Sequence, residues 1–320
     1  MKAMILAAGL GTRLWPLTDL RSKPAIPFRN RPLIHYSVDY LSSIGIREIM
    51  VNLHHQPESI RQALGDGSRL GVQISYSFEK EILGTSGALD RVRDWLIDGD
   101  FVVINGKIVT DIDLGAAIGT HQDRRAIATL VLRPNSTRER FSEVEIGAEG
   151  RITRFGGFPG SEGGDVPLMF TGIQILSPSI FDYVPRGRFS HSTTDVYPVA
   201  IERGEPVIAY VAAGYWFEMS TLDRYLAASI TFMKKDGRAF YSGTGSDLAS
   251  DALVEYSVLW DRVTVGREAV LRRVVVGDDV RIPDGFSAED AVIVRRRDVQ
   301  QVERGKVAGD NVIVPIRENS

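Results

Sequence analysis

The chain has 320 residues, 38 basic and 41 acidic side chains and a formal net charge of −3, with 43% hydrophobic and 25% charged content. This is the balance of a globular chain with a large core and about two domains, and it lacks the basic block that a nucleic-acid partner calls for. No cysteine is present, which excludes disulfides and thiolate metal sites and fits a reducing, cytoplasmic setting. No apolar run approaches the ~20 residues of a membrane helix. Met1-Lys2 passes straight into the first predicted strand, so no signal peptide is expected.

Residues 3–6 form an apolar run the length of one buried strand. It opens into Ala7, Ala8, Gly9, Leu10 and Gly11, followed by Thr12, Arg13, Pro16, Thr18, Lys23 and Pro24. Glycines there let backbone N–H groups approach an anion, and Arg13 and Lys23 add fixed positive charge, which suits a triphosphate. Two other phosphate loops do not fit. The dinucleotide fingerprint needs a third glycine where Leu14 stands, and no Gly-Lys-Ser/Thr triplet follows. The competing reading is a turn after an edge strand with two solvated cations.

Helical spacing at Leu33, Ile34, Val38 and Leu41 predicts a helix over 32–43. Strands are predicted over 48–53, 72–77, 101–104 and 126–132, and helices over 57–64, 88–96 and 114–121. This alternation argues a mostly parallel sheet covered on both faces, with ligands beyond the carboxyl ends of its strands. The glycine loop, Glu79 and Asn105-Gly106-Lys107 all fall just after strands. A hairpin is expected over 143–155 around Gly147 and Gly150, then a glycine-rich stretch over 156–164. A strand over 168–176, a helix over 193–203, a strand over 207–211 and a helix over 221–235 follow. A serine- and glycine-rich linker is expected over 237–250.

Beyond it, Leu253, Leu259, Val265 and Leu271 recur every six residues, and Val258, Val270, Val276 and Ile282 lie on a neighbouring grid with the same step. A six-residue step predicts a short left-handed β-helix, with ordinary β-hairpins as the alternative. The histidines, His54, His55, His121 and His191 among them, show no metal-ligand spacing and read as structural.

Gly9-Leu10-Gly11-Thr12-Arg13-Leu14, Pro16-Leu17-Thr18 and Lys23-Pro24 resemble the opening motif of the sugar-phosphate nucleotidyltransferases, or nucleoside-diphosphate-sugar pyrophosphorylases. With its carboxyl-terminal repeat, the chain resembles their mannose-1-phosphate guanylyltransferase-like members, while Leu83-Gly84-Thr85-Ser86-Gly87 resembles guanylyl-, uridylyl- and thymidylyltransferases alike, which leaves the base open. The resemblance implies an α/β fold: a Rossmann-like, mostly parallel sheet nucleotidyltransferase domain over 1–240, then a short left-handed β-helix and tail over 241–320. It implies transfer of a nucleotidyl group from a nucleoside triphosphate to a sugar 1-phosphate, releasing pyrophosphate, with magnesium (Mg2+) as cofactor.

By the same resemblance Arg13 and Lys23 are catalytic, and Ala8, Gly9, Gly11 and Thr12 bind the nucleotide. Glu79, Leu83, Gly84 and Thr85 lie at the nucleobase, where the helix that follows offers N–H donors. The alternative there is a plain helix start capped by Thr85 or Ser86. Asn105, Glu143, Gly172 and Asp195 are implied on the sugar side, and Glu218, ahead of Met219-Ser220-Thr221, as the metal ligand.

Three departures stand out, the first being Glu218 itself, where the family has Asp before Ile-Gly-Thr, so the carboxylate is kept with one more methylene. Lys107 occupies the position where the family has a magnesium-binding aspartate, and a lysine cannot ligate a hard cation. Gly156-Gly157 replaces a charged Glu-Lys-Pro segment. Lys107 is therefore expected to supply a fixed ammonium to the reaction, with weaker dependence on magnesium. Asp111 and Asp113 lie nearby but are not expected to replace the missing carboxylate. The rival reading is a catalytically weak paralogue that binds nucleotide or nucleotide sugar and regulates a partner. The expected partners are the two substrates and further copies of the chain, joined through the β-helix or the catalytic domain, without nucleic acid or membrane.

Overall fold

The computed structural model describes residues 1–160, 165–302 and 304–316. The chain divides into two compact units: Met1–Gly9, Tyr36–Pro57 and Leu64–Trp216 in one, Leu10–His35, Glu58–Ala63 and Phe217–Ser320 in the other.

The first unit is built on a seven-stranded sheet of β1 (Lys2–Leu6), β2 (Glu48–Leu53), β3 (Gln73–Phe78), β4 (Phe101–Asn105), β5 (Ala128–Pro134), β6 (Leu168–Leu176) and β7 (Val207–Val211). Their order across the sheet is β7-β5-β6-β4-β1-β2-β3. All pairings are parallel except those of β6, which runs antiparallel between β4 and β5. The mostly parallel sheet predicted from the alternation is therefore present. Ala3, Met4 and Ile5 are all fully buried, as expected of a strand covered on both faces, where a continuous apolar run replaces alternation. On one face Met4, Met50, Phe101 and Val103 join Ala88, Leu89, Val196 and Tyr197 in a single apolar cluster.

The chain leaves β1 towards β2 on one side and returns to its other side at β4, so the strand order reverses beyond Leu6 and Asn105. These two residues are paired, and the Gly106 N–H donates to the Leu6 carbonyl at 3.0 Å. Such a switch point opens a crevice at the strand ends. The predicted hairpin is formed by Val144–Ile146 and Ile152–Phe155, paired antiparallel. The end of the glycine-rich stretch, 161–164, lies outside the described residues.

In the second unit a helix, Leu222–Asp236, starts at Thr221, whose hydroxyl accepts from the Arg224 N–H, and stops at Gly237 in the left-handed conformation. The carboxyl-terminal segment then coils as a β-helix, as the repeat predicted. Its rungs repeat every 17 residues: Asp247, Thr264 and Arg281 stack in one column, and Val258, Val275 and Val292 in another. The inward positions are Val254, Leu259, Val265, Leu271, Val276 and Ile282, with steps of five and six. Each coil is thus one residue short of three hexapeptides. This corrects the six-residue grid at Leu253 and Val270, which stack in one column outside the core: Leu253 is 39% exposed and Val270 half-buried, and their neighbours Val254 and Leu271 point inward instead. The corners also recur at 17, with left-handed backbone at Tyr256, Arg273 and Asp290, and at Arg262 and Asp279. The antiparallel hairpin of Lys306–Ala308 and Asn311–Pro315 pairs with the last rung.

The predicted phosphate segment belongs to this second unit and packs on the coil. Arg21 forms an ion pair with Asp278 and lies 4.8 Å from the Trp260 ring centre. Arg304 donates to the Trp15 carbonyl at 3.2 Å. Among the described residues no helix is long and apolar enough to cross a membrane.

Candidate active site

Of the nucleotide residues predicted in the first unit, Glu79 and Leu83 are linked to the end of β1 through Asn52. Ala7 at the end of β1 donates its N–H to the Asn52 side-chain oxygen at 2.6 Å. The Asn52 amide nitrogen donates to one Glu79 oxygen at 2.7 Å, and the Leu83 N–H donates to the other at 3.0 Å. Glu79 is 1% exposed and Asn52 3% exposed. A carboxylate this deeply buried is tolerable because both oxygens accept hydrogen bonds. Glu79 thus ties together the ends of β1 and β2 and the start of the helix Gly84–Arg91. Asn52 was missed in the sequence, although one amide inside the apolar run Ile49–Leu53 is the signal that could have revealed it.

Gly84 has φ +76°. A Cβ there would run into the Ser190 carbonyl, so this position needs glycine for both conformation and space. The N–H groups of Ser86 and Gly87 donate to that same carbonyl, at 3.1 and 3.3 Å, and the Thr85 hydroxyl accepts from the Ser192 N–H at 2.8 Å. The helix start is therefore neither side-chain-capped nor open. The donors expected to face a base are taken by 190–192, and the Leu83 carbonyl in turn accepts from the Ser190 N–H at 3.0 Å, so Leu83 and Gly84 form a half-buried edge of the motif.

Among the sugar-side residues, the Asn105 side chain lies flush over Gly172, in the space a Cβ would need. Glu143 sits at the root of the hairpin, exchanging backbone hydrogen bonds with Gly156 and Gly157. Asp195 is exposed, and its carboxylate accepts from the His191 N–H at 2.6 Å, which holds its pKa below the usual range. Lys107, half-buried, follows Gly106 in the tight turn between β4 and Ile108–Thr110.

In the second unit Gly11 takes a left-handed turn, with φ +69°, that starts the one-turn segment Thr12–Leu14. A Cβ on it would lie 2.9 Å from the Thr18 methyl and 3.2 Å from the Lys23 Cβ. The turn, Thr18 and the root of Lys23 are packed together, while Thr12 and Arg13 are exposed. Glu218 is buried, and one of its oxygens accepts from the Ser220 hydroxyl at 2.6 Å and from Arg224 at 2.7 Å.

These donors were tested against a magnesium ion. Asp111 accepts from the Tyr215 N–H at 2.6 Å, and Asp113 caps the helix Leu114–Asp123 by accepting from the Ala116 N–H at 2.9 Å. Glu218 already neutralises Arg224, and Lys107 carries the wrong charge. Among the described residues no group of three or more histidine, aspartate or glutamate side chains converges. The described side chains alone therefore make no three-carboxylate cage, whereas a magnesium ion is ordinarily held by one or two carboxylates together with substrate phosphates. His121 is structural, as expected: it is buried beside the Thr129 hydroxyl at 3.0 Å, and burial lowers its pKa.

Known proteins are similar to this chain along most of its length. A model described as nucleotidyl transferase matches residues 2–235, and one described as GlmU-like, C-terminal hexapeptide matches residues 242–303. A Synechocystis protein named UTP–glucose-1-phosphate uridylyltransferase is 34% identical over 71% of this chain, which spans 62% of that relative's length. The mannose-1-phosphate guanylyltransferase of Mycobacterium tuberculosis is 27% identical over 92% of this chain and 83% of its own. A Bacillus anthracis crystal structure assigned as a glucose-1-phosphate thymidylyltransferase superposes with a TM-score of 0.64 at 26% identity, covering 72% of this chain and 95% of its own. The first family model takes in well over half of the chain, from β1 through Glu218, and on that ground the protein belongs to the nucleotidyl transferase family.

Proposed function

We propose that the protein joins a nucleoside triphosphate to a sugar 1-phosphate, giving a nucleoside-diphosphate sugar and pyrophosphate. The observation that carries this reading is the packed Gly11 turn with its two cations: Lys23 is held at its root by the Gly11–Thr18 contact, and Arg13 is carried on its exposed side. The sugar phosphate oxygen attacks the α-phosphorus. The bond from that phosphorus to the bridging oxygen breaks, and the pyrophosphate leaves with the electron pair. Little is asked of a protein here except to position the groups and neutralise charge. Arg13 binds the departing pyrophosphate, Lys23 the α-phosphate, and the Leu83-Gly84 edge the base, with Glu79 as its support. Ala8, Gly9, Gly11 and Thr12 bring backbone close to the phosphates. Asn105 over Gly172, with Glu143 and Asp195, serves the sugar. In this reading residues 1–240 carry the chemistry, and copies of the chain associate through the β-helix of 241–320 or through the catalytic domain.

Lys107 supplies a fixed positive charge, and no step is routed through a metal. Lys107→Asp is expected to raise magnesium-dependent turnover, and an unchanged rate and magnesium response would sink this role. Purified protein should release pyrophosphate from one triphosphate when offered a pool of sugar 1-phosphates, with little dependence on magnesium. Lys107 also favours a second reading, a nucleotide-sugar-binding regulator with residual activity. Nucleotide binding without release from any substrate pair would decide for the regulator.

A further inference from the structure

A second concentration of positive charge lies on the β-helix. A cleft of about 1160 Å³ crosses the corner column of Gly245, Arg262 and Asp279 and is bounded by the closing hairpin. Five arginines line it: Arg262, Arg281, Arg295, Arg296 and Arg297. Only two carboxylates, Asp279 and Asp310, line it with them. Asp298, which pairs with Arg295, adds a third carboxylate, so five positive and three negative charges leave the wall two positive.

Three of the five are held by neighbours. Arg262 forms a paired contact with Asp279 at 2.6 and 2.9 Å, and Arg295 does the same with Asp298 at 2.6 and 3.1 Å. Arg296 donates to the Val299 carbonyl at 3.0 Å. Arg281 and Arg297 are exposed, and Arg297 lies within electrostatic reach of Asp279. A rigid, partly neutralised floor with further guanidinium groups above it matches an anion with several oxygens, because guanidinium presents paired donors at phosphate spacing. The cleft is too polar for an apolar ligand. It is also built on the coil, whose stacked rungs keep the arginines at fixed separation.

We infer that this cleft binds a small anion carrying two or more linked phosphates, at a site separate from the Gly11 turn. Its floor residue Asp279 directly follows Asp278, the partner of Arg21 in the predicted phosphate segment, so a ligand here lies one residue from a contact with that segment. The inference does not depend on the activity proposed above.

The test is calorimetric titration of the full chain with inorganic tripolyphosphate, without magnesium. Arg281→Ala/Arg297→Ala should weaken binding at this site by about tenfold or more, the loss of two charge-assisted contacts. Arg13→Ala should leave that event intact and remove only binding at the Gly11 turn. Affinity should fall steeply with salt, and orthophosphate should bind more weakly than tripolyphosphate. Both arginines are exposed, so an unchanged melting temperature of the double variant, with each single variant in parallel, guards against a folding defect. Unchanged binding in the folded double variant would overturn the site. Equal affinity for an acidic hexapeptide would overturn its preference for phosphate.

Discussion

The two parts of the candidate machinery are built in opposite ways. Around Glu79 in the first unit, polar groups are buried and matched one to one: Asn52, Leu83 and Ala7 fill the available acceptors and donors. Around Gly11 in the second unit, small residues pack tightly so that cations can stand in or near solvent. The first arrangement fixes backbone, and its side chains are already occupied. The second presents charge, and its backbone is merely folded out of the way. Replacing a group in the first should therefore be felt mainly in stability, and in the second mainly in turnover.

The strongest separation is expected at the cations. Arg13→Ala and Lys23→Ala should each reduce turnover by about 10²–10³-fold, the usual cost of removing one preorganised donor from developing charge. Arg13→Ala, exposed as it is, should shift unfolding free energy by less than about 0.5 kcal/mol. A turnover loss smaller than tenfold in both variants would break the contrast.

Gly84→Ala comes next. It forces a left-handed backbone on alanine and drives a methyl into the Ser190 carbonyl, so a loss of about 2–4 kcal/mol is expected from strain and overpacking together. The KM for the triphosphate should rise as the Leu83-Gly84 edge shifts. Denaturant unfolding and steady-state kinetics on the same preparation check both parts.

Glu79→Gln should have the smallest of these effects and the clearest cause. A glutamine has one acceptor oxygen where two donors, from Asn52 and Leu83, must be met, so one buried donor is stranded at about 1–3 kcal/mol. A stability change below about 0.5 kcal/mol would show that this network is not the support it is described as.

Much of the sheet was legible because buried parallel strands read as short apolar runs between helical spacings, as residues 3–6 and 48–53 do. The antiparallel course of β6 was not legible, since strand direction leaves no mark on a run that is buried on both faces. In the β-helix the six-residue step is visible at Leu259, Val265 and Leu271, but the five-residue step between Val254 and Leu259 moves the core position by one from Leu253. A single dropped residue per coil cannot be placed by counting, because valine and leucine occur on both neighbouring positions. Gly11, Arg13 and Lys23 could be singled out as a local motif. The Asn52–Glu79 bond, 27 residues apart, could not.

By itself the sequence determined the elements, the repeat, and the residue types placed after the strands, because those follow from periodicity and from what glycine and charged side chains can do locally. Tertiary structure alone decided which polar groups remain available. Asp111, Asp113 and the N–H groups of Ser86 and Gly87 are all chemically suited to a ligand, yet each is already engaged by a neighbour distant in the chain or by a helix cap. Folding brings Arg262 and Arg281 onto one wall with the consecutive Arg295, Arg296 and Arg297 because a coil of 17 residues stacks positions far apart in sequence. Hydrogen-bond capacity is finite and is allotted by proximity in space, which residue order does not record.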